Sequence, residues 1–328
     1  MPPPKLKLAH LPTPLFRSDA LDALVGTELW VKRDDMSAGP AAGNKIRKLE
    51  YLLAEAQAQR ATVVITCGGL QSNHARATAI LARQLGLRSV LLLRCPQPQP
   101  PPAFDAGNAF LDALVGAEIR PISKQQYAQR TELMHGVSGE LARRGERPYV
   151  IPEGGSCGLG ALGYVDAMAE LREQLDRKEL GAPARFDAIV HACGSGGTAA
   201  GVALGAALHE VADRTLAIAV CDDRHYFERV TAALVTEARA LLGTATSACA
   251  LEIIDRYKGP AYGVPTDEQA QFIVSVARAC GLVLDPVYTG KALYALAQID
   301  PKPRRALFIH TGGLPGLLAE SRDFTRFL

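Results

Sequence analysis

The chain has 328 residues, 48% of them hydrophobic and 21% charged, with a formal net charge of +2, an ordinary globular composition long enough for two domains or one large α/β unit. So small a charge provides no basic field for nucleic acid or a membrane surface, and aromatics at 6% leave few platforms for base stacking. The seven cysteines are scattered without a Cys-x-x-Cys pair, which argues against a zinc or disulfide framework and for reduced thiols in a cytoplasmic protein; no run of eighteen apolar residues and no apolar signal core at Met1-Pro2-Pro3-Pro4-Lys5 points to a membrane.

Apolar runs of strand length alternate with longer helical patterns. A helix opens at Lys45. Residues 62–66 read as a buried strand, followed by a helix that Ser72 could cap and that runs to about Leu85. The next strand is 88–93. Proline-rich 96–102 is too stiff and donor-poor for a helix or central strand and reads as a surface loop. Helix 104–116, strand 118–122, helix 124–144 and strand 148–151 complete a βαβ series. A second series starts near Leu159, with a helix over 159–178 and a strand over 186–192. That strand ends in Gly194-Ser195-Gly196-Gly197-Thr198 and leads into an alanine-rich helix; strands 216–220 and 305–310 follow. The alternation predicts parallel sheets with helices on both faces, in two α/β lobes with a ligand cleft between them.

Three segments carry candidate chemistry. In Gly43-Asn44-Lys45-Ile46-Arg47-Lys48, Lys45 stands at a helix start, against the dipole's positive end and with two more cations in its turn. Taken alone it reads as a surface lysine. Unfavourable charge, however, lowers an amine's pKa and improves it as a nucleophile toward a carbonyl cofactor. Lys48, one turn deeper, is the rival for the same role. Gln71-Ser72-Asn73-His74 places two amides, a hydroxyl and an imidazole at a strand-to-helix turn, where a plain N-cap would explain one residue but not four. A lysine-bound aldehyde facing this anion cradle is the layout of a pyridoxal-phosphate enzyme, with Asn73 suited to the ring's phenolic oxygen and Ser72 to an amino-acid carboxylate. Gly194 to Thr198 is a glycine turn able to approach a phosphate. With Ala199 it also matches the dinucleotide fingerprint Gly-x-Gly-x-x-Ala, and Asp222 and Asp223 follow the next strand. A nicotinamide-dependent dehydrogenase is therefore a competing reading, although it leaves Lys45 and Ser72 unexplained. Tyr262 and Tyr288 lie in turn-rich segments where packing roles are common. Thr311 in His310-Thr311-Gly312-Gly313 could meet a ring nitrogen.

Together these segments resemble the pyridoxal-phosphate family that contains D-cysteine desulfhydrase and 1-aminocyclopropane-1-carboxylate deaminase. The resemblance runs from Leu11-Pro12-Thr13-Pro14-Leu15 through Lys32-Arg33-Asp34-Asp35 to His310-Thr311-Gly312-Gly313, nearly the whole chain. It implies the tryptophan-synthase-β type of fold, two open twisted sheets with helices on both faces, usually in a homodimer. Residues 1–50 and 160–328 would form a large cofactor-binding domain and 51–159 a small one. It also implies that Lys45 carries pyridoxal 5'-phosphate as a Schiff base and that Asn73 bonds the ring oxygen. Ser72 and His74 would face the substrate carboxylate and amino group. Gly194, Ser195, Gly196, Gly197 and Thr198 would hold the phosphate, and Tyr262 and Tyr288 would line the reacting face. The deaminases carry Glu after the tyrosine of Asp-Pro-Val-Tyr and Leu in the final His-x-Gly-Gly, where this chain has Thr289 and Thr311, as desulfhydrases do. His74 also follows the desulfhydrase pattern. Ala42 before Gly43, the 222–228 stretch and the proline-rich loop depart from the family. The expected function is β-elimination on a small amino acid, D-cysteine giving pyruvate, sulfide and ammonia, with Lys45 as the base. The cyclopropane deaminase and an L-cysteate sulfo-lyase are alternatives of the same class; a dehydrogenase or a non-catalytic amino-acid binder are alternatives of other classes.

Overall fold

A strand that is parallel to its neighbours and covered on both faces needs apolar side chains along its whole length, which is how the runs at 63–65, 90–93 and 188–190 are built. In the computed structural model, which describes residues 3–96 and 102–328, the strands are β1 (Leu15–Arg17), β2 (Glu28–Lys32), β3 (Val63–Gly69), β4 (Arg88–Arg94), β5 (Glu118–Ile122), β6 (Pro148–Val150), β7 (Phe186–Cys193), β8 (Ala212–Ala219), β9 (Ala250–Ile254) and β10 (Arg305–Ile309). They form a larger sheet in the order β1-β2-β10-β7-β8-β9 and a smaller one in the order β5-β4-β3-β6. Only β1 runs antiparallel to its neighbour. The α/β class and the two parallel sheets agree with the sequence expectation.

Several details differ. β1, β2 and β9 are strands that the sequence reading passed over. The helix expected over 124–144 is two helices, Lys124–Ala128 and Arg130–Arg143, and the one expected from 104 begins at Gly107, whose φ of +58° stops it extending backward. Most of the proline-rich stretch, 97–101, lies outside the described residues. Helix Lys45–Ala58 runs unbroken across the expected division at 50/51, and its Ile46, Leu49, Leu52 and Leu53 share a core with Val64 of the smaller sheet and Ile151, just past β6.

Two features hold Lys45 in place. The first is close helix packing. A Cβ on Gly163 of helix Gly158–Asp176 would lie 2.2 Å from the Arg47 carbonyl oxygen, and one on Gly201 of helix Gly197–Leu208 would lie 2.2 Å from that of Ala161. Only glycine permits these approaches. The second is a buried ion cluster. The Arg47 guanidinium makes a two-pronged contact with Asp34, at 2.9 and 2.8 Å, and two bonds of 3.0 Å to Glu170. Thr13 and Tyr164 donate to Asp34, and Lys32 pairs with Glu170 at 2.5 Å. The Pro-Thr-Pro and Lys-Arg-Asp-Asp segments thus tie the chain's first strands to the helix that starts at Lys45.

Candidate active site

Gly43 and Asn44 dock on the end of β10, where the Asn44 N–H donates to the Thr311 carbonyl at 3.2 Å. A Cβ on Gly43, whose φ is +124°, would lie 2.8 Å from that same oxygen. The Asn44 amide reaches across to Thr198 Oγ1 at 3.1 Å. Lys45 therefore enters a slot whose walls include Asn73, Cys193 to Gly196, Thr198, Tyr288 and Thr311. Burial pulls the Lys45 amine down to about 8, reinforced by Arg76 and opposed by Glu153 and Cys193. The expected lowering is present, but its expected cause is corrected. Arg47 is neutralised by Asp34 and Glu170 on the opposite side of the helix, so burial takes the place of crowding within the turn.

Lys48 faces the glycine turn. The residue is 1% exposed, and Nζ donates to the Gly154 carbonyl at 3.1 Å and to Ser156 Oγ at 3.4 Å. Burial and Lys45 press its pKa well below the ordinary value, and no carboxylate compensates among the described residues. Nζ is 2.8 Å from where a Cβ on Gly197 would lie, at the first residue of helix Gly197–Leu208. A buried cation beside the positive end of a helix is disfavoured unless an anion joins it. A phosphate meets that need, because the turn offers N–H groups unused by the helix and Gly196 takes φ +85° to present them. Ser156 Oγ accepts from the Gly197 N–H at 3.1 Å and contacts Ser195 Oγ at 2.8 Å, which braces the turn from behind. The residues present fit pyridoxal phosphate: Lys45 would take its aldehyde and Lys48 would meet its phosphate. The spacing of Lys45 and Lys48, three apart on one helical face, was the signal that could have assigned Lys48 a partnering role.

Ser72 caps helix Asn73–Gln84, its Oγ accepting from the Ala75 N–H at 3.2 Å. With His74 it lines a wider cavity of about 710 Å³ that shares Lys45, Gly194 and Tyr288 with the slot. Thr66 Oγ1 donates to the Ile151 carbonyl at 2.9 Å, so the 2.9 Å contact between this hydroxyl and His74 Nε2 places the ring proton on Nε2. Burial and the two lysines hold His74 well below its ordinary pKa, leaving a neutral ring whose buried Nδ1 has no partner among the described residues. Asn73 is held by a residue that sequence reasoning missed. Asn108, fully buried, donates from Nδ2 to Asn73 Oδ1 at 3.1 Å and to the Gln71 carbonyl at 2.9 Å. Gln71 returns bonds to the Asn108 N–H and the Ala106 carbonyl, at 2.7 and 3.2 Å. This clasp spends the acceptor of Asn73 and leaves its amide N–H groups for the slot. No local pattern marks Asn108, since its partners lie 35 and 37 residues away.

The hydroxyls of Tyr262 and Tyr288 meet at 2.5 Å, their rings edge to face with centroids 6.0 Å apart. Burial pushes Tyr262 up to about 12 and Tyr288 well above its ordinary value, so both are protonated at neutral pH. Lys291, fully buried, straps the Tyr262 loop through the carbonyls of Lys258 and Ala261, at 2.6 and 3.1 Å. Thr311 lines the slot as expected; Thr289 does not. Its hydroxyl donates to Asp285 Oδ1 at 2.6 Å and accepts from the Asp285 N–H at 2.8 Å, because Asp285 caps the helix that Thr289 begins. Gly197 also stands behind the slot, facing Ser156. The remaining expected residues are brought together around Lys45. Asp223, a possible ribose acid in the dehydrogenase reading, caps helix Arg224–Leu242 instead.

A buried amine facing a helix-start anion cradle defines the class, and the family described as pyridoxal-phosphate dependent enzyme matches residues 6–312. The chain belongs to this family, within the group named for 1-aminocyclopropane-1-carboxylate deaminase and D-cysteine desulfhydrase, and its cofactor is pyridoxal 5'-phosphate. It is 43% identical to a bifunctional D-cysteine desulfhydrase/1-aminocyclopropane-1-carboxylate deaminase of Arabidopsis thaliana, a mitochondrial protein, over 97% of this chain and 80% of that one. It is 36% identical to a D-cysteine desulfhydrase of Serratia proteamaculans over 96% of each chain. The crystal structure of a homologue of 1-aminocyclopropane-1-carboxylate deaminase superimposes with a TM-score of 0.89 at 37% identity, covering 99% of this chain and 96% of that one. The membership replaces the dehydrogenase and simple binding-protein readings. Among the described residues no helix is long and apolar enough to cross a membrane.

Proposed function

We propose that this protein eliminates hydrogen sulfide from D-cysteine, giving pyruvate and ammonia. The observation that carries the choice is Thr311: a neutral hydroxyl stands at the β10 end of the slot, and among the described residues no Asp or Glu lines that slot. A carboxylate at the ring nitrogen would favour the protonated, stronger electron sink. Loss of a thiolate requires that sink less than opening a cyclopropane does. When bound, pyridoxal phosphate supplies a carbonyl for the substrate amine and a ring that takes up the electron pair left at Cα.

The chain's own groups divide the remaining work. Ser72 and the free N–H groups at the start of helix Asn73–Gln84 hold the substrate carboxylate. His74, held neutral, faces the amino group from the cavity wall. Lys45, with its amine lowered to about 8, takes the Cα proton. The Tyr262–Tyr288 pair, protonated, stands on the reacting face to hand a proton to the departing sulfur. One water then completes pyruvate and ammonia. We further propose that 51–159 acts as a small domain closing on this cleft, and that the protein works as a cytoplasmic homodimer, which sedimentation would place at roughly twice 34.9 kDa.

The test measures keto acid and sulfide from D-cysteine against keto acid from 1-aminocyclopropane-1-carboxylate. The parent should prefer D-cysteine, and Thr289→Glu with Thr311→Leu should shift activity toward ring opening. Because Thr289 satisfies Asp285, its replacement is expected to cost about 1–3 kcal/mol in stability, so Thr311→Leu is also measured alone. A parent that opens the cyclopropane faster than it desulfhydrates D-cysteine overturns the assignment.

A further inference from the structure

The cavity extends past Lys45 to a wall that β-elimination on cysteine does not use. Arg94, the last residue of β4, stands on it. Its guanidinium carbon lies 4.9 Å from the Tyr127 ring centroid and 5.5 Å from that of Tyr262. Two aromatic faces thus cover the guanidinium, an arrangement that leaves its N–H edge to do the bonding. Among the described residues that edge meets no carboxylate. Two carboxylates line the cavity. Glu153 is taken by Arg130 Nε at 2.7 Å and by the Tyr127 hydroxyl, and Asp222 is exposed at the rim. Gly69 borders both groups: a Cβ there would lie in ordinary contact, 4.0 Å from Arg94 Nη2 and 3.6 Å from the Tyr262 ring. The substrate's α-carboxylate already has a cradle at Ser72 and the helix start. A pre-oriented, unpaired guanidinium beside Tyr262 therefore faces whatever extends from Cβ.

We propose that Arg94 forms a second anion subsite, so that the protein accepts amino acids whose Cβ carries a sulfate ester as leaving group and binds, without turning over, those that end in a side-chain carboxylate. The inference rests on the elimination reading for its chemistry. With a sulfate ester, the Cα proton leaves to the base and the Cβ–O bond breaks with its electron pair going to sulfate. Water then converts the remaining three-carbon fragment to pyruvate and ammonia, with no oxidant or reductant involved. Arg94 would bind the group in the ground state and stabilise the charge it carries away.

The test uses the holoenzyme. Calorimetry compares D-aspartate with its neutral isostere D-asparagine, and pyruvate assays compare O-sulfo-D-serine with D-cysteine. A charge-assisted bond predicts that the parent binds D-aspartate at least about 10-fold tighter than D-asparagine. Arg94→Met, which keeps an apolar stem between the tyrosines, should abolish that preference. It should also lower the ratio of kcat/KM for O-sulfo-D-serine to that for D-cysteine by about 10-fold or more. Arg94→Lys, keeping a point charge without the fork, should fall between. A parent with no preference for D-aspartate overturns the subsite, and so does an equal loss on both substrates in Arg94→Met, which would assign Arg94 to the α-carboxylate or to packing. Absent turnover of D-cysteine counts against the elimination reading alone, because the calorimetric preference decides the subsite by itself.

Discussion

Replacing Lys48 by methionine should move two properties in opposite directions. Without an anion, Nζ is buried with only a carbonyl at 3.1 Å and a hydroxyl at 3.4 Å for company. Methionine has similar length and no charge to desolvate, so cofactor-stripped protein should melt no lower than the parent and somewhat higher. With a phosphate present, the variant loses a charge-assisted contact worth about 1.5–3 kcal/mol, or about 10- to 150-fold in affinity. Pyridoxine 5'-phosphate, which has no aldehyde, isolates this contact from bond formation at Lys45 and can be titrated calorimetrically. The pH dependence has a definite sign. The folded-state pKa of Lys48 is depressed below its ordinary 10.5, so between the two values the unfolded chain binds more protons. The parent's penalty is complete below the folded value and fades as pH rises toward 10.5. That alkaline gain in the stripped protein should vanish in Lys48→Met. An affinity for pyridoxine 5'-phosphate within about 2-fold of the parent would refute the phosphate assignment, since the 10-fold lower bound is the smallest a charged contact should deliver.

Capture of pyridoxal phosphate needs the neutral Lys45 amine, so its rate should climb with pH and level off above about 8; stopped-flow absorbance reads this, and a flat profile contradicts it. Borohydride trapping should place the pyridoxyl group on Lys45, and recovery on Lys48 would reverse their roles. Gly196→Val puts a branched side chain at φ +85° with its Cβ 2.9 Å from Val230, so bound cofactor should be lost while circular dichroism reports a retained fold; unchanged cofactor retention would remove the phosphate role. Asn108→Ala leaves the Gln71 carbonyl and Asn73 Oδ1 without a donor, costing about 1–3 kcal/mol. It should also shift the visible band of the lysine-bound cofactor, because Asn73 is no longer held toward the ring, whereas a purely structural role would change the melting temperature alone.

The chain's local order carried the parts of the site that neighbours in sequence build. A lysine opening a helix, a Ser-Asn-His turn after a strand and a glycine turn before another helix are read from adjacent residues, because helix starts and tight turns depend on a few consecutive backbone groups. The same logic explains what went unread. β1 has three residues, and in β9 only Ile253 and Ile254 are buried, so neither shows enough apolar pattern. β2 ends in a lysine whose burial is possible because Glu170, 138 residues away, pairs with it while Gln174 and the Thr13 carbonyl accept from it. The turn around Lys45 looked like three crowded cations, yet Arg47 is balanced by Asp34 and Glu170, while Lys48 is the cation left waiting for an anion. Thr289 looked equivalent to Thr311 and faces Asp285 instead. Sequence alone determined the fold class and the cofactor, and it singled out the buried lysine and the glycine turn proposed to hold that cofactor. Tertiary structure decided which charges are paired, which amide is oriented and which cation is free, because charge partners are chosen by the docking of helices and sheets far apart in the chain, and no propensity of a single segment encodes them.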